Sequence, residues 1–225
     1  MKPVLFVPDT WAIWNSEDSR TAGDCSLEKL KIWYGIKSPA WNRLKSSKNL
    51  KPEMMLVGEN PSRNNEEIVN NTNILIQCFH SNSRLDRSLK AAIEQVKFFE
   101  GAYMTDAFAW AYEENGRTIR LRDIERQYPN YWKKIYHKAK TAFVKKINDG
   151  KGSLAIIALG NDAFRYIQEF LQLTTNITPR VRKFEVSSIR HNLRIYKVDH
   201  PSPRNAKFRS LFIRQLKAIA KDLKK

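Results

Sequence analysis

Cysteine is almost missing from this 225-residue chain, and the two it has, Cys25 and Cys78, rule out whole classes of site. They are too few to hold an iron–sulfur cluster or to close a four-thiolate zinc centre. They suffice for one disulfide in an oxidising compartment, yet nothing else points to secretion. Residues 1–9 are too short and too broken by Pro3 and Pro8 for a secretory apolar segment. No apolar run approaches the roughly 20 residues that a membrane span needs. A cytoplasmic protein without membrane contact is therefore expected. Repeats, low-complexity tracts and linkers are also lacking, so residues 1–225 read as a single domain. The phosphate-cradling G-x-G-x-x-G, the P-loop, H-E-x-x-H and G-x-S-x-G are all missing. Nucleotide hydrolysis, zinc proteolysis and esterase chemistry have no support.

Acidic residues are the other shortage: 23 Asp and Glu face 40 Lys and Arg, for a net charge of +17. Such an excess calls for a polyanionic partner, most often nucleic acid and less often an anionic membrane surface. The excess is uneven. From residue 179 to 225 there are 14 Lys or Arg against Glu185, Asp199 and Asp222. With 42% hydrophobic and 11% aromatic residues, the chain has material for a packed core rather than a disordered tail.

Four of the six tryptophans (Trp11, Trp14, Trp33 and Trp41) lie in residues 1–50, which read as an irregular, partly helical cap. Residues 51–225 read as the α/β core. Strands are predicted at 54–57, 102–106, 154–159 and 194–198. Helices are predicted at 85–99, at 131–147, toward Leu171 after an N-cap at Asn161 or Asp162, and from about Asn205 to the end. The run Leu154-Ala155-Ile156-Ile157-Ala158-Leu159 is apolar throughout, as befits a strand covered on both faces. Strand–helix alternation ending in a helix implies a three-layer αβα sandwich around a short, mainly parallel, four-stranded sheet. Gly58, Asp106, Gly160 and His200 then fall at strand C-terminal ends, where open α/β sheets gather ligands.

Two polar motifs follow strands there: Gly58-Glu59-Asn60-Pro61-Ser62, and His200-Pro201-Ser202-Pro203-Arg204-Asn205. One supplies a carboxylate and an amide, the other an imidazole on a turn stiffened by proline. Together they can hold a water on one side of a substrate and a hydrogen-bond donor on the other. Arg204, Lys207 and Arg209 follow at once and are able to grip phosphates.

In order and in strand context, the motifs resemble those of the uracil-DNA glycosylase superfamily, across about residues 54–223. That family carries Gly-x-Asn/Asp/Ala-Pro after its first core strand and His-Pro-Ser-Pro after its last. The Arg204-Asn205 continuation is most similar to the single-strand-selective monofunctional branch, and Asn60 is similar to that branch and to the mismatch-specific one. Glu59 is similar to the thermophilic iron–sulfur branch, which the shortage of cysteine excludes. The resemblance implies a base-excision repair enzyme, a monofunctional hydrolase that flips a uracil or another modified base out of DNA and cleaves its N-glycosidic bond. Asn60 would orient the water, His200 would donate to the departing base, and Glu59 would assist or brace the turn. Gly58, Pro61 and Phe79 would line the base pocket, with Phe79 otherwise a core residue. Ser62, Ser202, Arg204, Asn205, Lys207 and Arg209 would contact DNA, with Arg204 as the wedge. The expected partner is DNA, single-stranded or lesion-bearing, bound by a monomer with no metal and no cofactor.

One position departs from the family. Where an Asn is expected to read the flipped base, this chain has Asp106, which accepts hydrogen bonds but, when ionised, cannot donate them. Either the preferred base is not simply uracil or uracil release is weak; a cap outside the site is the remaining reading of Asp106. Two other functions use the same residues: an inactive nucleic-acid binder of this fold, and an N-glycosidase acting on small nucleosides or nucleotides.

Overall fold

The computed structural model describes residues 5–7, 10–12, 50–59, 75–77, 79, 84–108, 121–149, 153–173, 184–187, 192–200 and 206–225. In chain order these form β1 (Leu5–Val7), β2 (Thr10–Trp11), β3 (Lys51–Gly58), β4 (Leu75–Gln77), α1 (Arg84–Gln95) and β5 (Ala102–Asp106). Then come α2 (Leu121–Gln127), α3 (Pro129–Asp149), β6 (Leu154–Leu159), α4 (Asn161–Leu171), β7 (Phe184–Ser187), β8 (Asn192–Val198) and α5 (Ala206–Leu223).

The four predicted strands form the parallel centre of the sheet, in the spatial order β5-β3-β6-β8. Every residue of β6 is buried, which matches its uninterrupted apolar sequence. The sheet has six strands rather than four. β2 adds antiparallel to β5 on one edge, and β7 adds antiparallel to β8 on the other. Both edges are too short for an alternating pattern to announce them. β1 and β4 make a separate parallel pair.

Side chains alternate between the faces of the strands and so build two cores. On one face Leu56, Met104, Ile157 and Tyr196 pack under Leu89 and Ile93 of α1 and Phe212, Leu216 and Ile219 of α5. On the other, Val57, Ile156 and Ile195 pack under α3 and α4, through Trp132, Ala139, Phe143 and Ile147 and through Phe164, Ile167 and Phe170. Burying one such side chain contributes about 1.5–3 kcal/mol, so the apolar stripes of these helices, rather than propensity alone, hold them to the sheet. The helix predicted over 85–99 is shorter: α1 ends at Gln95, Val96 takes an extended φ of −124°, and a 3-10 turn follows at Lys97–Phe99. Gly101, at φ 81°, then turns the chain into β5.

From β3 the chain steps outward to β5, then crosses back to β6 and on to β8. The direction of winding reverses between β3 and β6, which opens a crevice beyond their C-terminal ends. No helix among the described residues is long and apolar enough to cross a membrane.

Candidate active site

The first motif is held where the β3–β5 ladder runs out. Gly58 pairs in register with Asp106, and beyond the strands the N–H of Ala107 donates to the carbonyl of Gly58 at 2.9 Å. The N–H of Phe108 donates to the carbonyl of Glu59, also at 2.9 Å. These two bonds tie the turn after β3 to the turn after β5, so Glu59 and Asp106 share one wall.

Gly58 has no room for a side chain. A Cβ there would collide with Oδ1 of Asp106 and lie 3.0 Å from Cζ of Phe79. Asp106 is 4% exposed and Phe79 8%. Phe79 also sits at φ 65°, a left-handed conformation that bulky side chains adopt only when their surroundings hold them there. Glycine, carboxylate and aromatic ring thus form a single corner. Asp106 belongs to this corner.

His200, the first residue of the second motif, lies just past the end of β8, across the switch point from Gly58. Gly160 follows β6 at φ 103°, and its N–H donates to the carbonyl of Val198 at 2.9 Å. A Cβ at Gly160 would lie 3.3 Å from both Cβ and Cδ2 of His200. Only glycine gives both the backbone angle and the space for the imidazole. His200 as a residue is exposed, yet its pKa falls below the usual 6.5, because the protein around the ring desolvates the cation while Asp162 only partly offsets this. The two facts fit a ring that rests one edge on Gly160 and leaves the other exposed. A ring with a depressed pKa stays neutral at physiological pH, so one nitrogen carries a proton to donate and the other does not.

Glu59, directly after the Gly58 corner, is half-buried. Its carboxyl holds its proton to higher pH than an ordinary glutamate, first because of burial and then because of the Asp162 carboxylate; Arg122 and Arg165 act in the opposite direction. Asp162, expected as a helix cap, does not cap α4. Gly160 occupies the N-cap position with no side-chain bond, and Asp162 pairs with Arg122 of α2 instead. An ion pair linking residues 40 apart in sequence leaves no local signal. Arg165, one turn on, pairs with Glu169 at 3.1 Å and Glu125 at 3.9 Å while lying 4.1 Å over the ring of Tyr166.

Tyr166 was not expected from sequence to matter. It is fully buried, its ring meets that of Phe108 at 4.5 Å, and its hydroxyl has no hydrogen-bond partner among the described residues. Burial pushes its pKa up to about 12.

Asn60, Pro61, Ser62, Ser202, Arg204 and Asn205 lie outside the described residues, as do the side chains of Lys207 and Arg209 in α5. Of the expected site residues, the structure brings Gly58, Phe79 and Asp106 together, sets Glu59 beside them, and puts His200 at the end of the strand next to β6. No cluster of three or more His, Cys, Asp or Glu among the described residues is placed to hold a metal ion.

No individual curated protein matches this chain. The family description that matches is the uracil DNA glycosylase superfamily, over residues 46–224. That span takes in the whole parallel sheet, both helical layers and both strand-end motifs, and the chain therefore belongs to the uracil-DNA glycosylase superfamily.

Proposed function

We propose that this chain is a monofunctional DNA N-glycosylase that removes a flipped, modified base by attack of water. The observation that carries this reading is the corner formed by Gly58, Phe79 and Asp106, with His200 held against Gly160 across the switch point. A nucleobase extruded from its stack, at a cost of a few kcal/mol, would lie against the Phe79 ring with its polar edge on Asp106. The bond from C1′ of the sugar to the base nitrogen breaks with its electron pair going to the base. The sugar becomes cation-like and the base anionic. His200 donates a hydrogen bond to the base carbonyl where that negative charge gathers; one such donor is typically worth on the order of 3 kcal/mol of barrier. Water forms the new bond to C1′. Asn60 orients that water through its amide oxygen, and Glu59, whose affinity for a proton is raised, receives the proton the water gives up. The proton then passes to the base, leaving an abasic sugar and a free base.

Asp106 sets the choice of base. An ionised carboxylate favours an edge offering two donors, whereas an amide in its place would match the donor–acceptor edge of uracil. The test is base release from a panel of lesion-bearing oligonucleotides. His200→Ala is expected to lose about a hundredfold or more in rate while still binding the same oligonucleotides. Asp106→Asn is expected to raise uracil release relative to the other bases. A His200→Ala protein as fast as wild type on every base it releases would refute the mechanism. Equal uracil release by Asp106→Asn and wild type would refute the role of Asp106. Release from free nucleosides but not from DNA would favour the small-substrate alternative, and binding without release of any base would favour the inactive binder.

A further inference from the structure

The outer face of α3 has a composition that the crevice does not explain. The helix carries six lysines and His137 against one acid, Asp149 at its end. Its apolar stripe, Trp132, Ala139, Phe143 and Ile147, is spent on the core. On the opposite side, Tyr131, Lys134, Lys138 and Lys145 follow one another at helical spacing and are all exposed. From Tyr131 to Lys145 the stripe is about 21 Å long at 1.5 Å per residue. Tyr128, just before α3, is 60% exposed and Tyr131 is 59%; they are the only large hydrophobic side chains exposed among the described residues.

A solvated lysine face accounts for the lysines but not for two uncovered aromatic rings at the end of their stripe. That end is also the one near the crevice. Trp132, beside Tyr131, stacks on Phe108 at a centroid distance of 5.2 Å, and Phe108 in turn donates its N–H to Glu59. Aromatic rings beside a row of cations are what a single strand of nucleic acid recognises: bases stack on the rings and phosphates follow the charge. An anionic membrane fits less well. An amphipathic helix binds lipid by inserting its apolar face, and here that face is already buried against the sheet.

We infer that Tyr128, Tyr131 and the lysine stripe of α3 form a second nucleic-acid contact, which takes the single strand leaving the crevice and holds it without regard to sequence. Its direction rests on the glycosylase reading of the crevice; its existence does not. The test uses fluorescence anisotropy with an undamaged single-stranded oligonucleotide and the full chain. Tyr128→Ala/Tyr131→Ala is expected to weaken binding roughly tenfold or more, and Tyr128→Phe/Tyr131→Phe to bind as wild type does. Replacing Lys134 and Lys145 by Ala is expected to lower the salt-dependence slope by about 1.4, near 0.7 per lost phosphate contact. His200→Ala should keep the same tyrosine dependence, which separates this surface from the catalytic reading even if no base is ever released. Unchanged affinity in the double alanine variant would overturn the proposal. So would lysine variants that lose phosphatidylserine vesicles and oligonucleotide alike while the tyrosines matter to neither.

Discussion

At the scale of single residues, the site turns on two groups whose protonation is displaced in opposite directions. Glu59 is raised above 4.5, so between that value and its folded pKa the native protein holds a proton that the unfolded chain has lost. Its contribution to stability is complete below 4.5 and is lost as pH rises through the folded value. His200 is lowered below 6.5, so as pH falls the unfolded chain takes up its proton first. Its contribution is complete above 6.5 and is lost as pH falls through the folded value. Glu59→Gln is therefore expected to be more stable than wild type at neutral pH and no more stable below 4.5. His200→Ala should remove part of the loss of stability on acidification. Urea unfolding midpoints followed from about pH 4 to about pH 8 would check both; a Glu59→Gln protein less stable than wild type at neutral pH would contradict the assignment. Asp106 shows how far a motif alone can be read. Its position at the end of β5 was legible because Gly101 and the apolar run before it frame the strand. The Asp162–Arg122 pair was not, because it joins α4 to a helix seven residues long that carries no clear apolar stripe of its own.

At the scale of elements, the junctions between strand and helix carry the most information per residue. Gly160 joins β6 to α4 in a backbone region that side chains avoid, with the His200 ring against its Cα. Gly160→Ala should destabilise the fold by about 1–3 kcal/mol and also slow base release, because His200 must move to make room. Thermal unfolding and single-turnover kinetics on the same protein would test this; lost stability with unchanged turnover would mean that the position of His200 is not critical. β5 and β6 could be bounded to the residue from sequence, because Gly101 and Asp106 frame the first and Gly160 ends the second. β2 and β7 could not, since two and four residues do not establish a period. α1 was overextended for a related reason: Phe98 and Phe99 continue an apolar run, but as an edge-on pair with centroids 5.3 Å apart within a 3-10 turn.

At the scale of the whole molecule, one sheet separates two cores that share no side chain, so each central strand carries load for both. Ile157 is fully buried and lies in the middle of β6, between β3 and β8. Ile157→Ala is expected to cost about 2–5 kcal/mol and to shift a single unfolding transition seen identically by tryptophan fluorescence and far-ultraviolet circular dichroism. Two separated transitions would show that the layers unfold independently. The balance of +17 belongs to this scale too, and on the proposed function it would draw a phosphate backbone toward the protein before any specific contact forms.

The reversal of winding between β3 and β6 divides the crevice between two separately connected halves of the chain. In the proposed mechanism, the corner that would receive a base and the water-handling Asn60 and Glu59 follow β3 and β5, whereas the imidazole that would ease its departure follows β8 and rests on the glycine after β6. On the proposed mechanism, substitution at Phe79 or Asp106 would retune what enters without touching the imidazole. Under that reading, a lineage built on this plan would be free to explore new lesions one substitution at a time while keeping that imidazole in place.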